Sequence, residues 1–284
     1  MTIKLGFNLL LWATHVTDEH MPIIEDLKAT GYDGVEVPMF EGDPEHFRRL
    51  GQRLKDVGLV GQGVGIMPGG GKSAVSADAA ERKGAVEHLR WLTDCTEALG
   101  GTMFAGPFHQ PLGQFTGRGP QPEEVERAVE VLKQAGAYAA KAGIDISVEP
   151  LNRFECYFLN TASQAADLVD RIGAPNVGYL YDTFHFNIEE DSITDVIPRT
   201  IRQINHVHIS ENNRGVPGAG HIDFMSVFKA LKAAGYDRWM TIESFGSALP
   251  DLAAATKIWR PIFKTPEDVY RKGYRLMRDG WDAA

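Results

Sequence analysis

Eight short apolar runs recur along the chain, each separated from the next by an amphipathic segment of helical period. The runs lie at 3–11, 34–39, 60–66, 102–107, 145–150, 177–182, 205–210 and 239–244. Between them stand patterns such as PEHFRRLGQRLKDVG and PEEVERAVEVLKQAGAYAAKAG, whose apolar residues repeat as a helix with one buried face requires. Several segments end at a glycine suited to the left-handed helix stop: Gly31, Gly58, Gly100, Gly143, Gly173 and Gly235. Runs such as GVEVPMF and HVHIS are short and apolar, as parallel strands covered on both sides must be. Eight strands alternating with helices can bury all these faces by closing on themselves. An α/β fold is therefore expected, a (β/α)8 TIM barrel. No Pro/Ser-rich linker or break in composition divides residues 1–284, so the chain reads as one domain.

Closure of such a barrel gathers catalytic groups where the strands end. Four successive runs end in metal-binding side chains: Glu149 in IDISVEP, Asp182 in VGYLYDTFHF, His208 in INHVHISEN and Glu243 in WMTIESFG. One acid at a strand end is commonly a helix N-cap, and one histidine a satisfied core residue. Four in succession, spaced 33, 26 and 35 residues apart, point to a shared site. Three carboxylates and one imidazole suit one divalent ion per subunit, Mn²⁺ first, with Co²⁺ or Mg²⁺ as alternatives.

Composition narrows the partners. The 284 residues are 43% hydrophobic and 24% charged, ordinary for a globular protein with a sizeable core. A formal net charge of −9 lacks the basic footprint that binding nucleic acid requires. No apolar run approaches the roughly 20 residues of a membrane span, so no membrane partner is expected. MTIKLGFNLLLW superficially suggests a signal peptide, but Asn8 interrupts it and no small-residue cleavage site follows. It reads as the first buried strand. Cys95 and Cys156 form no disulfide framework, which suits a cytoplasmic setting. Two long stretches, MPGGGKSAVSAD at 67–78 and FGSALPDLAAATKIWRPIF at 245–263, follow strands on the ligand face. Long loops there serve as lids or substrate walls.

The strings VEPLNRFECYFLNT, YDTFHFNIEE, HVHISENNRGVPGAGHIDF and TIESF resemble the D-tagatose 3-epimerase group of ketose 3-epimerases. That group sits in the xylose-isomerase-like barrel superfamily. The resemblance covers the whole chain in length and strand order, with its specific motifs between residues 149 and 243. It implies the metal ligands Glu149, Asp182, His208 and Glu243. It also implies that Glu155, His185 and Arg214 hold the O1–O3 end of a ketose. These stand six residues after the first glutamate, three after the aspartate and six after the metal histidine. Singly, Arg214 would read as solvated, His185 as packed among aromatic neighbours, and Glu155 as a partner of Arg153. A homodimer or homotetramer is implied as well. Cys156 replaces the group's more common threonine.

Inverting C3 of a ketose removes a proton from a carbon beside a carbonyl and returns one on the opposite face. That carbon acid is too weak for a free carboxylate near neutral pH. Lewis-acid stabilisation of the cis-enediolate supplies the missing several kcal/mol. Glu149 and Glu243 are suited to act as the base and acid pair, with Asp182 and His208 as fixed ligands. The expected reaction is metal-dependent C3 epimerisation of a free ketose of the tagatose, fructose, psicose or ribulose type. No glycine-rich helix N-terminus or Lys/Arg cluster follows the last two strands to grip a phosphate. Aldose–ketose or hydroxypyruvate isomerisation and inosose dehydration use the same ligand set and stay open. A three-zinc DNA-repair nuclease of this fold would need more strand-end histidines and a basic face.

Phe7, Trp12 and Phe108 are further candidates, for an apolar wall against the sugar, and His109 for a substrate contact. His206 shares a strand face with His208 by period-two alternation. Together with Glu36, in the second run, it is a candidate for support behind the ligands.

Overall fold

The computed structural model describes residues 3–284; residues 1 and 2, which the single-domain expectation includes, lie outside the described residues. Eight parallel strands close into a barrel in sequence order. They are β1 (Lys4–Asn8), β2 (Gly34–Pro38), β3 (Val60–Val64), β4 (Met103–Gly106), β5 (Asp145–Val148), β6 (Val177–Asp182), β7 (Ile204–Ile209) and β8 (Trp239–Ile242). The main helices around them are α1 (Met21–Thr30), α2 (Pro44–Val57), α3 (Ala79–Leu99), α4 (Pro122–Ala139) and α5 (Ala162–Ile172). The second half adds α6 (Thr183–Glu189), α7 (Val196–Thr200), α8 (Phe224–Ala233), α9 (Pro250–Thr256) and α10 (Pro266–Ala283). Among the described residues, no helix is long and apolar enough to cross a membrane.

Local chemistry sets the boundaries. All six glycines expected as helix stops take positive φ, from 65° at Gly173 to 119° at Gly31. At Gly31 this turns its N–H onto the carbonyls of Leu27 and Lys28. The first run is shorter than expected. Asn8 accepts a hydrogen bond from Leu10 N at 3.0 Å, and this cap tips Leu9–Leu11 into a 3₁₀ turn, so β1 ends at Asn8.

Alternation along the strands sorts the two sides of the sheet. On β7, Val207 and Ile209 join the apolar layer under the helices, while His206 and His208 face inward and meet Glu36 of β2. On β6, the Tyr179 hydroxyl bonds Thr200 of α7 and the Tyr181 hydroxyl donates to Ile193 O, which leaves Asp182 for the interior. The end of β4 presses closely on the chain after β3. Gly106 takes φ 147°, and a β-carbon there would lie 1.8 Å from the carbonyl oxygen of Gly65. Its own carbonyl accepts from Glu149 N at 2.9 Å, so this contact sets the height of the first expected ligand.

Candidate active site

Asp182 ends β6 and His208 lies in β7, while Glu149 and Glu243 each directly follow a strand. His208 pairs in register with Asp182 on one side and Thr241 on the other, so neighbouring strands deliver their side chains at one level. The four expected ligands are buried, and one ligand atom from each lies within 4.8 Å of the others. Asp182 is both cap and candidate ligand. Its Oδ1 accepts from Phe184 N and His185 N at 2.6 and 3.2 Å, capping α6. Its Oδ2 accepts from Ser210 Oγ at 3.2 Å and faces His208 Nδ1 at 3.5 Å.

The cluster fits a divalent cation on its own chemistry. His208 Nε2 meets the Glu36 carboxylate at 3.0 and 3.2 Å. Its Nδ1 is buried without a hydrogen-bond partner, although it stands 3.5 Å from Asp182 and 3.6 Å from Glu243. A buried imidazole nitrogen that lacks a partner, ringed by carboxylates, has the donor chemistry that a divalent cation satisfies. The charges register the crowding. Burial, then the neighbouring Glu243 charge, raises the Glu149 carboxyl well above its ordinary range. Burial pushes Asp182 the same way, but the adjoining His208 ring and the charges of His185 and Arg214 outweigh it and lower its pKa.

The three expected substrate residues sit on the same floor. Arg214 Nη1 is paired with Glu243, and its Nη2 lies 3.8 Å from Glu155. The guanidinium is stacked between Phe184 and Phe245, 4.0 and 4.8 Å from their ring centres. Its expected alternative, a solvated loop arginine, is thereby excluded. Arg153 pairs with Glu189, so Glu155 is not its partner; Glu155 accepts instead from Asn152 Nδ2 at 2.8 Å. His185 Nδ1 receives the Asn152 backbone N–H at 2.9 Å. In the neutral ring the proton therefore sits on Nε2, which faces Arg214 Nη2 at 2.9 Å and Glu149 Oε1 at 3.6 Å. Burial, then the Arg214 charge, lowers the His185 pKa and keeps it neutral. The two nitrogens thus stand side by side on the floor of the site, beside the Glu149 carboxylate.

Above this floor lies a cavity of about 240 Å³, lined by Glu149, Glu155, His185, Arg214 and Glu243 and by an apolar upper wall. Phe245, Leu252, Ala255 and Thr256 come from the 245–263 stretch, in keeping with its expected use as a substrate wall. The 67–78 stretch contributes nothing to the lining. It folds down instead, with Ala74 N bonded to His109 O and Ser73 N to Glu81 O. The aromatic wall expected from Phe7, Trp12 and Phe108 is corrected. Phe7 points outward and packs against Trp12, Tyr32 and Tyr270, because Asn8, not Phe7, faces the interior. Phe108 packs on Phe104. His109 is likewise no part of the lining: its Nε2 contacts the backbone carbonyl of Glu149 at 3.1 Å. The wall is built by Leu10, Phe40, Ile66 and Leu112, which only their places after strand ends could have flagged. Asn8 was also missed. Its Nδ2 donates to Glu243 Oε1 at 3.1 Å, and its one sequence signal is a polar break in an apolar run.

Residues 24–280 match the xylose isomerase-like TIM barrel family, and the chain belongs to it. L-ribulose 3-epimerase from Mesorhizobium japonicum is 33% identical over 92% of this chain and 88% of its own length. Ketose 3-epimerase from Arthrobacter globiformis is 30% identical, covering 98% and 96%. The solved structure of D-allulose 3-epimerase from Methylomonas sp. in complex with D-allulose superposes with a TM-score of 0.90 at 28% identity, over 98% of this chain and 97% of that one. Within the family, the chain groups with the ketose 3-epimerases, which are isomerase-class enzymes.

Proposed function

We propose that this chain inverts C3 of a free ketose, with Glu149 and Glu243 exchanging the C3 proton across the sugar. The observation that carries the reading is the floor of the cavity. Two carboxylates reach it from β5 and β8, beside the Arg214 and His185 nitrogens, which stand 2.9 Å apart. A carbonyl or hydroxyl oxygen of a ketose placed beside both nitrogens accepts from them, and Glu155 accepts from a neighbouring hydroxyl. One glutamate takes the proton from C3 while the other returns one to the opposite face. Either can play either part, so the reaction runs in both directions.

Glu149, Asp182, His208 and Glu243 would hold the divalent ion, and their oxygen-rich set favours Mn²⁺, Co²⁺ or Mg²⁺. When bound, it supplies Lewis-acid stabilisation of the charge developing on the substrate oxygens. The apolar upper wall supports a free sugar, since nothing in it offers the cations a phosphate needs.

The test is NMR in D₂O on Mn²⁺-loaded protein with fructose, tagatose, psicose and ribulose. Deuterium should enter at C3 alone, with the C3 epimer as product. Deuterium at C1 with an aldose product would defeat this assignment in favour of 1,2-isomerisation.

A further inference from the structure

Beneath the cavity floor, three side chains that neither take the substrate proton nor touch the cavity form one buried cluster. Glu36 of β2 and His206 and His208 of β7 are each at most 1% exposed. Glu36 Oε1 meets His206 Nε2 at 2.5 Å, and Glu36 contacts His208 Nε2 with both oxygens, at 3.0 and 3.2 Å. An ionised carboxylate only accepts hydrogen bonds, so both Nε2 atoms carry their protons toward Glu36. That leaves Nδ1 as the nitrogen through which His208 can offer a lone pair. Nδ1 is the atom that faces Asp182 and Glu243 without a partner of its own.

We infer that Glu36 is a positioning residue for the metal ligand His208, fixing its proton on Nε2 so that Nδ1 points at the ion, with His206 as the second donor that holds Glu36 in place. The inference rests on the metal reading above and extends it to residues outside the ligand set. A carboxylate behind a histidine ligand both orients the ring and raises its basicity, and losing it commonly costs about 10–100-fold in metal affinity. The same three side chains also lie close enough to hold an ion themselves. Three donors buried without a fourth fall short of a closed structural site, and each imidazole is already joined to the carboxylate.

Mn²⁺ titration followed by EPR, on chelated wild-type protein and on Glu36→Gln, decides the matter. A glutamine carbonyl can accept from the two imidazoles, but it carries no charge and its amide protons find no acceptor in the cluster. The wild type should bind one Mn²⁺ per chain. Glu36→Gln should bind one with affinity about 10–100-fold lower. His206→Gln should show a smaller loss, and it keeps the inference testable if Glu36→Gln fails to fold. Equal affinities in wild type and both variants would overturn the positioning role and leave the metal reading intact. Two Mn²⁺ per wild-type chain, one of them lost in Glu36→Gln, would overturn it in favour of a second ion site. A wild type that binds no Mn²⁺, Co²⁺ or Mg²⁺ would remove the metal reading and this inference with it.

Discussion

Arg214 takes φ 61°, a left-handed conformation uncommon for a residue with a β-carbon. Its carbonyl accepts from Ser244 Oγ at 2.7 Å and Phe245 N at 3.0 Å. Backbone and guanidinium are thus both tied to the segment that carries Glu243. Arg214→Ala should lower kcat/KM at least tenfold while near-stoichiometric Mn²⁺ is retained. A lost hydrogen bond to an uncharged sugar accounts for about 0.5–1.5 kcal/mol, and an unpaired buried Glu243 adds to it. Arg214→Lys should recover little, because the planar fork and the stacking between two rings are lost. A variant stripped of its metal would make Arg214 a support of the ligands instead. His109 offers a test of stability. Burial lowers its pKa to about 4, against a partly compensating backbone hydrogen bond to Glu149. The unfolded chain therefore binds the proton first, and stability falls as pH drops from about 6.5 to 4, by about 3 kcal/mol from this residue. Denaturant unfolding of wild type and His109→Gln at pH 7 and 4 checks it: the variant should lose less on acidification, and equal losses would sink the account.

At the scale of elements, the strand ends matter more than the strands. Gly106→Ala places a β-carbon against the backbone of Gly65 at a φ that L-residues rarely adopt. A loss of about 3 kcal/mol or more in denaturant unfolding is expected, at the exceptional end for a single methyl group. Because Glu149 N hangs on the Gly106 carbonyl, the surviving protein should also bind Mn²⁺ more weakly; near-wild-type stability would contradict the contact. Boundaries were legible where local chemistry decides them, as at Gly31 and Gly173, whose positive φ follows from glycine itself. They were not legible at Asn8, where one side chain's choice of hydrogen-bond partner decides whether Leu9–Leu11 extend or turn. The 67–78 stretch was equally opaque, because its glycines allow many paths and only contacts with α3 and the chain after β4 select one.

For the molecule as a whole, closure of eight strands makes the site a joint property of β5, β6, β7 and β8. An ion that binds the closed barrel and not the unfolded chain stabilises it by mass action, about 2.7 kcal/mol at a hundredfold excess over Kd. Chelation should then lower Tm by about 5 °C for a chain of this size, and Mn²⁺ should restore it; a Tm indifferent to both would contradict the metal reading. The sequence by itself determined the alternating architecture, since period 2 and period 3.6 are written in the chain. It also determined the four strand-end donors, since their identity and order are covalent facts. Only the tertiary structure decided which faces of those strands turn inward. It put Asn8 on Glu243 and sent Phe7 out to the helices, and it set Glu36 of β2 beneath His208 of β7 across the barrel. No local propensity encodes those meetings. They exist because a closed sheet brings side chains 172 residues apart within hydrogen-bond reach, and burial then leaves each polar atom to find its partner there.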